Sequence, residues 1–115
     1  MVYQQFLNIV DAYGDKVAIN VGDCCVTYAQ LNARAEQLAA ALVARGVTST
    51  SAVATIIPNG AEFFVATLAT FRLGATLVPL NVNYTDSELI QYIDKSSALV
   101  VVGDAQSQQS RIESL

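Results

Sequence analysis

Residues 52–81 read AVATIIPNGAEFFVATLATFRLGATLVPLN, and this stretch decides the fold. Ala52 to Ile57 is short, β-rich and apolar at nearly every position, and Pro58-Asn59-Gly60 breaks it. From Ala61 the apolar residues come at helical density, until Arg72 and Gly74 supply the cation and glycine that end a helix. Thr76 to Leu80 is then a second short apolar run. Strands that are apolar throughout, instead of alternating, belong to parallel sheets covered on both faces by helices. Strand, helix and strand within about 30 residues make a βαβ unit, and its crossover should be right-handed.

Working outward, the same helix-start device appears three times, as Thr27-x-x-Gln30, Asn59-x-x-Glu62 and Thr85-x-x-Glu88. In each, a short oxygen-bearing side chain can accept from the amide three residues on, while the Gln or Glu reaches back to the cap amide. The matching ends are Arg45-Gly46, Arg72 with Gly74, and Lys95 before Ser96-Ser97, placing cations where the helix dipole is negative. A third apolar run, Ala98 to Val102, follows the last helix. Toward the amino terminus, Phe6, Ile9, Val10 and Tyr13 share one helical face before Gly14. Lys16 to Val21 and Cys24 to Thr27 read as strands joined by Gly22-Asp23 as a two-residue hairpin turn. The expected fold is α/β: an open, mostly parallel sheet flanked by helices, with a short N-terminal helix and hairpin. Residues 1–115 form a single α/β unit, with a polar tail over 106–115.

The helix faces differ. In the Thr27 to Arg45 helix, Leu31, Ala35, Leu38 and Leu42 form one stripe, opposed by Asn32, Arg34, Glu36 and Gln37. In the next helix Phe63, Phe64, Val65, Leu68, Ala69 and Phe71 wrap most of the circumference. A helix with so little polar face is normally enclosed by protein.

Only 14% of the 115 residues are charged and 53% are hydrophobic, against roughly 25% and 45–50% in average soluble domains. The deficit concentrates in Gly60 to Leu80, which marks that region as the expected contact with a partner. The net charge of -4 and a pI near 4.4 provide no basic field for phosphate backbones or anionic lipid, so neither nucleic acid nor a polybasic membrane contact is expected. Glu62, Arg72, Gly74 and Pro79 interrupt the longest apolar stretch, so no membrane span is expected. Met1 to Gln5 lacks the basic segment and long apolar core of a secretory signal, which makes the cytoplasm the expected location. Cys24 and Cys25, adjacent in a strand, point to opposite faces and read as reduced packing thiols, neither bridged nor sharing a metal.

Motifs that carry chemistry are mostly absent. With no histidine, imidazole bases and Ser-His-Asp systems are excluded. There is no G-x-x-x-x-G-K-[ST] loop and no G-x-G-x-x-G turn. Ile57-Pro58-Asn59-Gly60-Ala61 stands where a phosphate loop would, but it offers one glycine, and Glu62 and Glu88 in the first helical turns repel anions. Asp86 and Glu88 are explained by capping, Asp94-Lys95 by a solvated surface. Tyr28, Tyr84 and Tyr92 at element ends read as core edges before ligand-stacking rings.

Val26-Thr27-Tyr28-Ala29-Gln30-Leu31-Asn32, the alanine-rich helix into Arg45-Gly46-Val47, then Ile57-Pro58-Asn59 and Arg72-Leu73-Gly74-Ala75-Thr76-Leu77-Val78-Pro79-Leu80-Asn81 resemble, in order and spacing, the amino-terminal segment of adenylate-forming (AMP-binding) enzymes. That superfamily contains acyl- and aryl-CoA synthetases, luciferases and nonribosomal peptide synthetase adenylation domains. The resemblance runs from about Phe6 to Asp104. Val78-Pro79-Leu80-Asn81 followed by Tyr84-Thr85-Asp86-Ser87-Glu88-Leu89 is more similar to the acyl-CoA synthetase branch. Members commonly carry a Gly-Asp pair and a basic residue just before the strand at Val53, where this chain has Thr50, Ser51 and Ala52.

The resemblance implies that the chain is the N-terminal portion of an ATP-dependent ligase, which converts a carboxylate to an acyl-adenylate and then a thioester, with ATP, magnesium and coenzyme A as the parent enzyme's cofactors. The family's phosphate loop, nucleotide contacts and catalytic lysine lie downstream of the matched region. No position from Met1 to Leu115 therefore inherits a catalytic, cofactor-binding or metal role, and the chain is expected to be catalytically incomplete alone. Its implied partner is the remainder of the adenylating enzyme, or a second copy through an apolar face. The alternative reading is a stand-alone small α/β ligand-binding or interaction module, with a crevice formed by Pro58-Asn59-Gly60 and Asn81 to Thr85.

Overall fold

The computed structural model describes residues 2–21, 24–58 and 60–103. Nine elements follow one another: α1 (Val2–Tyr13), β1 (Val17–Val21), β2 (Cys24–Thr27), α2 (Tyr28–Ala44), β3 (Ala52–Ile56), α3 (Ala61–Arg72), β4 (Thr76–Pro79), α4 (Asp86–Ser96) and β5 (Val100–Gly103). β1 and β2 form an antiparallel hairpin of their own. The expected turn at Gly22-Asp23 and the polar tail at 106–115 lie outside the described residues. β4, β3 and β5, in that order, make a parallel sheet, with Ala54 opposite both Val78 and Val101.

Two of the three expected capping boxes form. The Thr27 hydroxyl accepts from the Gln30 amide at 3.1 Å, and the Gln30 side chain accepts from the Thr27 amide at 3.0 Å. Thr85 and Glu88 repeat this at 3.2 and 3.0 Å. Such a cap is worth about 1 kcal/mol. At α3 the expectation fails: the cap is Gly60, which has no side chain to accept a hydrogen bond. Asn59 lies outside the described residues, and starting the helix at Ala61 makes Glu62 the second helical residue instead of the third.

The C-terminal ends match the sequence reading more closely. Gly46 and Gly74 adopt φ of 92° and 69°, a region costly for residues with a Cβ. Behind each, a pair of amides folds back to close the helix: Gly46 to the Val43 carbonyl and Val47 to Leu42, Gly74 to Phe71 and Ala75 to Thr70. α4 ends on Ser97 at φ 55°, the same backbone conformation without glycine.

The core has three parts. Ala39 and Leu42 of α2 and Ala69 of α3 pack with Val53 on one face of the sheet. On the opposite face Ala54, Ile56 and Leu80 meet Leu89 of α4. Away from the sheet, Leu31 and Val65 close against Ile19 and Val26 of the hairpin and Phe6 of α1. The α2–α3 pair is thus covered on both sides, which absorbs most of the apolar circumference of α3. Of the large hydrophobic side chains in Gly60 to Leu80 only Phe64, 48% exposed, stands clear, whereas Ile9, Tyr13, Val17, Val43, Ile90, Tyr92 and Leu99 are exposed outside it. The apolar surplus of Gly60 to Leu80 is mostly internal, against the expectation of a single partner-facing patch. β3 is covered on both faces as expected, but β4 and β5 are half-buried or more exposed.

A polar clip holds α1 to the helix pair. The Arg72 guanidinium donates to the Tyr3 hydroxyl at 3.0 Å, the Tyr3 hydroxyl donates to Asn32 Oδ1 at 3.0 Å, and Arg72 reaches Glu36 at 3.4 Å. The hydrogen bond to Tyr3, opposed by partial burial and aided by the fields of Tyr3 and Glu36, raises the guanidinium pKa above its ordinary value. A raised pKa gives stability that is present below the unfolded value and lost only above it, so the clip persists through all but strongly alkaline pH.

Tyr3→Phe keeps the buried ring and removes both hydrogen bonds. It should cost about 1 kcal/mol and lower the melting temperature by roughly 4–8 °C, whereas Glu36→Gln, on the exposed ion pair, should cost no more than about 0.5 kcal/mol. Ser97→Gly should stabilise by about 0.5–1 kcal/mol by removing left-handed strain; a fall in denaturant midpoint would contradict that.

Candidate functional site

In open α/β sheets, ligands enter beyond the carboxyl ends of the strands. Here that end carries a cleft of about 390 Å³, lined by Ile57 after β3, Val102 and Gly103 of β5, Arg34, Gln37 and Leu38 of α2, and Glu62, Val65 and Ala66 of α3. Its volume lies within the usual range for small-ligand sites of about 300–1,000 Å³. Ala66 and Val65 are buried by the packing of α3 on the sheet and Ile57 by the end of β3. Arg34, Gln37 and Glu62 form the polar rim. The site offers an apolar floor under a guanidinium, an amide and a carboxylate. Among the described residues no hydroxyl, thiol or imidazole lines it.

The expected crevice was at Pro58-Asn59-Gly60 and Asn81 to Thr85. The observed cleft borders the first turn through Ile57 and Glu62 but opens toward β5, away from β4. The second turn satisfies itself. Asn81 Oδ1 accepts from the Asn83 amide at 2.8 Å, the Asn81 carbonyl accepts from Tyr84 at 3.1 Å, and Thr85 and Glu88 are occupied by the cap. Tyr84 packs at the edge of the core as expected and stacks on Tyr92, centroids 5.1 Å apart, but Tyr92 itself is exposed; Tyr28 is half-buried where α2 begins. Cys25 is free but exposed on β2, not packed as expected, and its thiol lies 3.5 Å from Asn20 Oδ1.

Sequence reading missed Thr55. It is 1% exposed near the carboxyl end of β3, and its hydroxyl has no hydrogen-bond partner among the described residues. It pairs across the ladder with Val102 of the cleft. The only signal for it was one threonine in an otherwise apolar strand. At Thr50, Ser51 and Ala52, where the resemblance led to a Gly-Asp pair and a basic residue being expected, the chain builds a hydroxyl turn: Thr48 N–H donates to Ser51 Oγ at 2.9 Å and Ser51 N–H to the Thr48 carbonyl at 3.0 Å. Among the described residues no group of three or more acidic or cysteine side chains is gathered to hold a metal ion, and no helix is long and apolar enough to cross a membrane.

Because Arg34 and Glu62 serve the rim and not the core, Arg34→Gln and Glu62→Gln should each shift unfolding by less than about 0.5 kcal/mol. A loss above about 1 kcal/mol in denaturant melts would reassign them to the fold.

Comparison with known proteins bears on this geometry. A family model described as AMP-binding enzyme matches residues 6–115. A propanoyl:CoA ligase of Rhodococcus jostii, acting on a methyl-dioxo-octahydroindenyl acid by its name, is 38% identical over 94 residues, covering 80% of this chain and 18% of that protein. Tyrocidine synthase 1 of Brevibacillus parabrevis is 34% identical over 101 residues, covering 88% of this chain and 9% of its own length. The N-terminal subdomain of NpsA from Klebsiella oxytoca superposes with a TM-score of 0.83 at 25% identity, over 92% of this chain and 28% of that one. The chain thus spans less than a fifth of the curated ligases it matches and corresponds to the N-terminal segment of their fold. By its matched residues, its α-β-α order and its parallel sheet, the chain belongs to the AMP-binding enzyme family.

Proposed function

We propose that this chain is the scaffold portion of an ATP-dependent, AMP-forming ligase that activates a carboxylic acid as an acyl-adenylate and passes it to a thiol, with coenzyme A as acceptor. The observation that carries the reading is the family match over residues 6–115 on the same α/β architecture as solved adenylating subdomains. Acyl-CoA ligases among the relatives support coenzyme A; the peptide synthetases among them make a carrier-protein thiol the competing acceptor.

The residues described do not fit the nucleotide or its magnesium. The turn before α3 has a cap with no side chain and a carboxylate in its first turn, which disfavours phosphate, and no acidic cluster stands near it. No catalytic step is therefore assigned to this chain. Its residues hold the parallel sheet and its cleft rigid, and the remainder of the enzyme supplies the adenylating groups. The cytoplasm, with its ATP, is the compartment this reading fits.

The purified 115-residue chain should show no carboxylate-dependent exchange between ATP and pyrophosphate. The reading frame continued past Leu115 should encode a Ser/Thr/Gly-rich loop ending in Lys, and the longer product should catalyse that exchange. Activity from the short chain alone, or a longer product inert toward a broad panel of acids, would overturn the proposal.

A further inference from the structure

We draw no further inference here: the strongest candidate, the cleft between α2, α3 and the carboxyl end of β5, belongs to the site already described and is bordered by Gly103, the last of the described residues, with nothing in the structure to show what covers it.

Discussion

Everything in this structure is arranged around β3. It is hydrogen-bonded on both edges, and four successive residues, Val53 to Ile56, are at most 1% exposed. A strand with no wet face demands cover above and below, and the chain can supply it in one way. Passing from β3 to β4 moves in one direction across the sheet; passing from β4 to β5 returns beyond β3 in the other. Since each crossover is right-handed, the reversal puts α3 and α4 on opposite faces, where Ala69 meets Val53 and Leu89 meets Ala54 and Ile56. Thr55 is caught in the same burial: an unpartnered buried hydroxyl costs about 1–3 kcal/mol, which the fold tolerates at its best-packed strand.

What could be read in advance was what is local. Thr27 with Gln30 and Thr85 with Glu88 are pairs three residues apart, and the chemistry that makes them caps does not depend on the rest of the molecule. Gly46 and Gly74 are legible for the same reason. Asn59 obeyed the same pattern, yet the helix begins after Gly60, because the turn behind a buried strand is placed by sheet and helix packing. The exposed sides of β4 and β5 were also misread. An apolar run says that a strand wants cover on both faces and is silent on whether the cover lies within the same stretch of chain.

The site was legible in outline only. The carboxyl ends of the strands were the right place to look, but which of the two sides of β3 stays open depends on how far turn residues satisfy one another. Asn81, Asn83, Tyr84 and Thr85 close on themselves, while Arg34, Glu62 and Val102 come together from three separate elements. No spacing rule reaches across α2, α3 and β5. The clip of Tyr3, Asn32 and Arg72 was missed for the same reason, since its three members lie on three separate helices and no local pattern links them.

That clip fixes an order of events during synthesis. Tyr3 and Arg72 are 69 residues apart, and at about 5–20 residues per second the ribosome needs roughly 3–14 s to travel between them. α1, with 12 residues, is too short to persist as an isolated helix in water. Its hold on the helix pair is therefore complete only once α3 has been made. A contact offered by one segment waits on another made much later.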